Sequence, residues 1–217
     1  MNKVVKVLSA LAIATLANAA MAKEFVVSYD GFYDRLKVVE KGQFEYARVN
    51  FYLVDIATMA PCVIASGKLV TENYSLPLTY TANAQLLLPY DKQLDTDKAV
   101  IVVEPSDPAH DCQLKMQIEA DNISADKLNT QTLAQLNTEF DTLLTDLSGF
   151  FVGKLLAFML PSQQGVQVEF SEPVNLPLPG VNCADKVCQF KIDDAWQSVK
   201  LPLIQTEVKK VTPWIVK

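Results

Sequence analysis

The chain has 217 residues, 50% of them hydrophobic, with 19 lysines and arginines against 25 aspartates and glutamates. A net charge of −6 and a longest basic run of only Lys209–Lys210 argue against a polyanion-binding surface, so we expect no nucleic-acid partner. The length is enough for one large domain or two small ones with a genuine hydrophobic core.

Residues 1–22 have the pattern of a secretory signal peptide. Two lysines precede an apolar run at 7–16 that is too short to span a bilayer, and Ala20 and Ala22 supply the small side chains that signal peptidase requires. We predict cleavage after Ala22, with cleavage after Ala19 as the alternative. No cysteine follows either site, so no lipid anchor is predicted. The mature chain is expected to be a soluble periplasmic protein without a transmembrane segment, with an extracellular location as the alternative.

The cysteines predict two disulfides, because their number is even in a chain expected to be exported: Cys62, Cys112, Cys183 and Cys188. Three pairings are open. We favour Cys183 with Cys188, because residues 185–186 suit a turn and paired strands bring opposite Cα atoms to roughly 4.5–5.5 Å. Cys62 and Cys112 would then close a loop of about 50 residues, with a stabilisation of roughly 4 kcal/mol. A zinc site or redox motif fits the spacings poorly.

The first half of the mature chain reads as mainly β. A strand at 25–29 precedes a short helix from Asp30 to Gly42, and a long alternating strand follows at 44–56. Further strands are predicted at 62–65, 68–71, 78–81, 85–88, 99–104 and 113–119. Residues 23–120 should therefore form an antiparallel sheet or small sandwich carrying one helix.

The second half begins with a predicted long amphipathic helix at 124–160, which contains no proline. Its apolar stripe is Leu133, Leu136, Phe140, Leu143, Leu147 and Phe150. Its wet face is expected to be Gln131, Gln135, Thr138, Glu139, Thr142 and Asp146. A strand at 166–170, the Cys183–Cys188 hairpin and a last strand or pair at 199–211 follow. Residues 121–217 thus form a helix plus hairpins, able to make one domain with 23–120, and the fold class is α+β.

The run at 147–160 is apolar nearly all round, although Gly149 and Gly153 each cost a helix about 1 kcal/mol relative to alanine. Burial in the core, with the glycines admitting a close neighbour, is the favoured interpretation. A docking surface for a partner is the second, and its candidate residues are Phe150, Phe151, Leu155 and Phe158. Membrane insertion is disfavoured, because the run is shorter than the about 20 residues that a span needs.

The sequence offers no complete catalytic set. His110 is the single histidine and is expected to be a solvated loop residue. Ser124-Ala-Asp-Lys127 matches the Ser-x-x-Lys of penicillin-binding proteins, but the partner motifs are missing and Ser124 suits a helix N-cap. The scattered Met59, Met116 and Met159 argue against a copper site, and no nucleotide motif is present. We therefore predict no catalytic residues, metal or cofactor.

Several segments resemble an uncharacterised family of exported proteins from Gram-negative bacteria. They are Tyr29–Lys37, Leu88–Asp91, Ala99–Val103, Cys112–Ile118 and Thr212–Ile215. The resemblance covers nearly the whole mature chain. It implies a periplasmic location, but no activity, ligand or catalytic residue can be transferred, because the family has none assigned.

These observations predict a non-catalytic binding or envelope-interaction module that contacts an envelope protein, with the apolar end of the long helix as its contact surface. The alternative is a small carboxylate-based hydrolase acting on envelope polymers. Its conceivable acids are Glu104, Asp107, Asp111, Asp193 and Asp194. A purely structural or folding-assistance role is a third hypothesis. The oligomeric state is not predicted.

Overall fold

The strands of the protein pair only in antiparallel fashion within the part of the chain that the computed structural model describes. That part is residues 24–107, 111–155 and 162–216, with the backbone alone for 150–155 and 162. The predicted signal peptide, His110 and Phe158 lie outside it. The described strands are β1 (Phe25–Ser28), β2 (Ala47–Asp55), β3 (Ile64–Val70), β4 (Ser75–Pro77), β5 (Thr79–Tyr80), β6 (Gln85–Leu87), β7 (Val100–Pro105), β8 (Cys112–Ala120), β9 (Ser162–Phe170), β10 (Val181–Ala184), β11 (Val187–Lys191) and β12 (Val208–Val216).

Three four-stranded sheets are formed by these strands. The first has the order β1-β7-β3-β4, the second β5-β6-β2-β8 and the third β10-β11-β9-β12. The helices are α1 (Asp30–Gly42), α2 (Lys92–Thr96) and α3 (Thr130–Leu155), with 3-10 helices η1 (Ala125–Lys127) and η2 (Asp194–Ser198). The α+β class is therefore confirmed. One hydrophobic cluster includes buried residues from both halves, and the division at residue 120 remains a prediction.

The long strand β2 is buried on both faces after Asn50, although its sequence alternates. Phe51 packs edge-on against Phe32 of α1, with ring centroids 4.8 Å apart. Tyr52 on the opposite face is covered by Lys210 of β12, whose Nζ lies 5.1 Å from the ring centroid. The central position of β2 between β6 and β8 leaves both faces available for packing, so alternation alone underestimated its burial.

Helix α3 buries the front of the predicted apolar stripe completely, as expected. The fully buried members are Leu133, Leu136, Phe140 and Leu143. The wet face is exposed only in part, because Glu139 accepts backbone hydrogen bonds from Glu45 at 3.2 Å and from Tyr46 and Ala47 at 2.9 Å each. A polar residue on that face thus anchors α3 to the entrance of β2.

Three boundary predictions need correction. The strands expected at 62–65 and 68–71 are one strand, β3, which continues through Gly67. The strand expected at 199–211 is β12, which extends to Val216 because the apolar tail pairs with β9. The long helix starts at Thr130, not Ser124; Ser124 makes no capping bond, and Asn129 accepts from the amide of Thr132 at 2.9 Å. Helix α2 was not predicted.

Both favoured disulfides are present. Cys62 and Cys112 join the approach to β3 with the start of β8, across a sequence separation of 50. Cys183 and Cys188 face each other across the β10–β11 hairpin, with a Cα–Cα distance of 4.0 Å. Together they account for all four cysteines.

Gly149 breaks the regular geometry of α3. Its φ of 72° and ψ of 156° are not helical, and a Cβ built on it would meet none of the described atoms within 4 Å. The positive φ explains a glycine at this position, and burial of the run at 147–160 in the core stays a prediction. None of the described helices is long and apolar enough to cross a membrane.

Candidate functional site

The predicted contact surface lies at the end of α3, beyond the break at Gly149. Phe150, Phe151 and Leu155 belong to the helical backbone there, but their side chains and all of Phe158 fall outside what the structure describes. This surface therefore stays a prediction.

The acids proposed for hydrolysis are spread over several elements, and two of them have local structural roles. Glu104 on β7 accepts a hydrogen bond of 3.0 Å from the Ser66 hydroxyl of the neighbouring strand. Asp193 caps η2 by accepting from the amide of Ala195 at 3.0 Å, and it pairs with Lys191 at 3.1 Å. The hydrogen bond from Lys191 lowers the pKa of Asp193, which keeps this carboxylate ionised. Asp107 and Asp111 lie in the connection between β7 and β8, and Asp194 is exposed in η2.

The Ser-x-x-Lys match has a structural explanation. Ser124 hydrogen-bonds the carboxylate of Asp126 and thereby lowers its pKa, while the Lys127 ammonium lies 3.4 Å from the carbonyl oxygen of Asn122. The soft-metal candidates are also dispersed: the Met59 sulfur accepts from Gln113 at 3.4 Å, and Met116 is exposed on β8. Among the described residues, no three His, Cys, Asp or Glu side chains are grouped to hold a metal ion.

A buried polar group that sequence reasoning missed lies where β8 approaches β12. We call it the β8–β12 junction; its members are Asn50, Tyr52, Glu119, Asp121 and Lys210. Glu119 is only 4% exposed, and its Oε1 accepts from the Tyr52 hydroxyl and, at 2.7 Å, from Asn50 Nδ2. Its Oε2 lies 3.3 Å from Lys210 Nζ.

The junction stabilises the contact between the second and third sheets. Burial, followed by the hydrogen bond to Glu119, raises the pKa of Tyr52 well above its usual value, so the phenol remains a donor at every physiological pH. Asn50 Nδ2 also lies 3.3 Å from Asp121 Oδ1, which brings two carboxylates close together. The carboxylate of Glu119 already interacts with Lys210 and with two hydrogen-bond donors. Glu119 is therefore better explained as a buried charge paired with Lys210 than as half of a catalytic dyad with Asp121.

Two of the segments that carry the family resemblance meet in a tyrosine cluster formed by Tyr29, Tyr33 and Tyr90. Tyr29 is fully buried; its hydroxyl donates to the carbonyl of Pro89 and accepts from the amide of Asp91 at 3.1 Å. Tyr33 stacks on Tyr90, with ring centroids 5.0 Å apart and planes inclined by 11°. The cluster holds the chain before α2 against α1. The tyrosines of these two segments therefore have a structural role.

A cavity of about 580 Å³ opens beside η2, and we call it the Trp196 cavity. Its walls come from residues 178–180, from Lys191 and Asp193, and from 195–200 except Gln197. The volume lies in the range of small-molecule pockets, and the lining is mainly apolar with a few polar groups at its edge.

The walls of this cavity are held rigidly. Trp196 is 1% exposed, donates from Nε1 to the carbonyl of Thr130 at 3.0 Å, and packs edge-on against Phe190 with centroids 6.0 Å apart. Gly180 adopts a φ of 74°, and its carbonyl accepts from the amide of Lys191 at 2.8 Å. The left-handed turn at Gly180 lets residues 178–180 fold over the end of β11. Only the prolines and the glycine at 177–180 signalled this turn in the sequence.

A profile of the family described as "Protein of unknown function (DUF2987)" matches residues 21–170, more than half of the chain. The chain therefore belongs to this family. No curated protein matches it, and no solved structure does either. The Trp196 cavity lies beyond the matched residues, whereas the tyrosine cluster and Glu119 lie within them. The periplasmic and Gram-negative associations implied by the resemblance remain predictions.

Proposed function

We propose that this protein is an exported, non-catalytic binding module that holds a small, largely apolar ligand in the Trp196 cavity. The observation that carries the proposal is the cavity itself: about 580 Å³, mainly apolar, and walled by a tryptophan fixed through Thr130 and Phe190. The two disulfides fit an oxidising compartment, which supports export to the periplasm.

A non-catalytic role is supported by what the acidic side chains do. Asp193 at the cavity edge caps η2 and pairs with Lys191, and Glu104 bonds to Ser66 on the neighbouring strand. Besides the acids predicted from the sequence, the structure offers the hydrolase alternative one further pair, Glu119 and Asp121, the carboxylates that Asn50 brings together. The near-complete burial of Glu119 disfavours it, because a polymer substrate must reach the acid.

The binding of Nile red, a neutral apolar dye, tests the cavity directly. We expect the dye to bind the wild-type protein, and to bind the Ala195→Phe variant roughly fivefold more weakly because the phenyl ring fills part of the cavity. The matched control is Ala57→Phe, the same change at an exposed turn residue away from the cavity. Equal binding by all three proteins, or no binding by any, would contradict the proposal.

A second candidate is that the end of α3 binds an envelope protein. The break at the exposed Gly149 supports it, because the apolar residues that follow start a new helical piece. Size-exclusion chromatography of gently released extract tests it: Phe151→Glu should elute as a monomer if the wild type elutes in an assembly. The control is Thr142→Glu on the exposed face of the same helix. Unchanged elution of Phe151→Glu would refute this surface.

A further inference from the structure

We propose that the ligand of the Trp196 cavity is a free, single-chain amphipathic anion, such as a medium-chain carboxylate, with its chain along the apolar wall and its anionic group at Lys200. This inference rests on the proposed function, since it names the ligand class of the same cavity. Two independent observations carry it: the apolar lining, and the charge at the edge.

The apolar lining suits an alkyl chain. Leu178, Pro179, Val199 and Trp196 all line the cavity. Trp196 already satisfies its one donor through Thr130, so it presents no polar group that a ligand would have to match. A chain without hydrogen-bonding atoms therefore loses no hydrogen bond on entering and gains by leaving water.

The charge at the edge selects an anionic head group. The polar side chains of the lining are Lys191, Asp193, Ser198 and Lys200. Lys191 and Asp193 neutralise each other at 3.1 Å, whereas Lys200 has no ion pair within the described part of the chain. The Ser198 hydroxyl adds a neutral donor. The edge of the cavity is therefore positively charged, although the whole chain has a net charge of −6. A positive edge complements an anionic ligand.

The cavity size favours one small molecule over a lipid in a bilayer. A volume of about 580 Å³ lies in the middle of the range for small-ligand pockets. One chain and a compact head group suit such a space, whereas a two-chain phospholipid would leave much of its apolar surface outside. We therefore commit to a free molecule and make the membrane-bound lipid an outcome of the test.

The test is competition against Nile red by three probes with the same chain: decanoate, decanol and decyltrimethylammonium, each below its micelle-forming concentration. We expect decanoate to displace the dye at roughly fivefold lower concentration than decyltrimethylammonium does, because a partly exposed ion pair changes an affinity by about this factor. Lys200→Glu should abolish or invert this preference. Lys68→Glu, the same change at an exposed residue of the first sheet, should keep it. Lower salt should increase the preference.

The outcomes separate this inference from the proposed function. Dye binding with equal competition by all three probes, or a preference that survives Lys200→Glu, would leave the cavity as a binding site and overturn the anionic ligand. Failure of the dye and of every probe to bind would overturn both. Sedimentation with phosphatidylglycerol vesicles that Lys200→Glu abolishes, together with no binding of free decanoate, would overturn the free molecule.

Discussion

One disulfide lies beside the second sheet and another within the third, but the two bridges join segments that differ greatly in sequence separation. Beside the second sheet, a bridge spans a sequence separation of 50, and Glu119 of β8 pairs with Lys210 of β12. In the third sheet a bridge spans a separation of only 5, and the Trp196 cavity opens near the other end of the same hairpin, where Lys191 lines it. The second sheet is thus held by contacts between distant segments, whereas this hairpin is held by a local one.

This difference has a simple physical origin. Segments far apart in sequence lose much chain entropy when they meet, so a disulfide between them, which removes that entropy from the unfolded chain, stabilises the fold more than a local disulfide does. A hairpin meets locally and needs less support. The open cavity therefore lies where binding can occur without disturbing the restraints that hold the two sheets together.

Removal of each disulfide in turn should show the largest difference between the two sheets. We expect Cys62→Ala with Cys112→Ala to lower the free energy of unfolding by about 4 kcal/mol, and Cys183→Ala with Cys188→Ala by about 2 kcal/mol, because the loops differ in length. Urea denaturation measures both. Each pair has a fully buried member, so the two variants are matched for lost packing. Equal losses would show that loop length does not distinguish the two bridges.

The two adjacent lysines of β12 test the junction. Lys210→Met should cost about 3 kcal/mol, because it leaves the carboxylate of Glu119 buried without its cation. Lys209→Met is the control and should cost less than about 1 kcal/mol, because Lys209 pairs with Glu207, which is 67% exposed.

The same denaturation assay compares the two lysine variants. Equal effects at Lys209 and Lys210 would mean that the junction contributes no more than a surface ion pair.

The smallest effect is expected in the tyrosine cluster. The hydrogen bond from Tyr33 to Tyr90, followed by burial, raises the pKa of Tyr33 to about 12. Since the unfolded value is about 10, the stabilisation from protonated Tyr33 is complete below pH 10 and is lost as the pH rises through 12. Tyr90→Phe should move the pKa of Tyr33 toward 10, as measured by NMR titration of the ring.

Tyr80→Phe is the control for that titration, because Tyr80 donates to the carbonyl of Ala65 and not to the cluster. A pKa of Tyr33 that stays near 12 in Tyr90→Phe would assign the shift to burial and not to the hydrogen bond between the tyrosines.

Local patterns predicted much of the fold. The boundaries of β1, α1 and the Cys183–Cys188 hairpin follow from punctuation by polar and glycine residues and from alternation. The stripe of α3 follows from its period, and the cysteine pairing follows from the turn at 185–186. Prediction failed where a distant segment decides whether a residue joins a strand. The tail joined β12 because β9 offers a free edge, and Gly67 stayed within β3 because it pairs with Val103 of β7 and its carbonyl accepts from the amide of Leu78.

The candidate sites were beyond local patterns for the same reason. Nothing near Glu119 in the sequence distinguishes it from other acids, because the Tyr52 and Lys210 that hold it are 67 and 91 positions away. The Trp196 cavity likewise needs residues 178–180, at the end of β11, and η2 to come together.

Periodicity, cysteine count and turn residues are local, so the class of fold, the predicted export signal and the elements near each turn can be obtained from the order of residues alone. Which charge is buried and where space is left open depend on how separate segments pack. Those properties are decided when Lys210 covers Tyr52 and when residues 178–180 close over the end of β11, because only tertiary contact sets the burial and the pairing of each group.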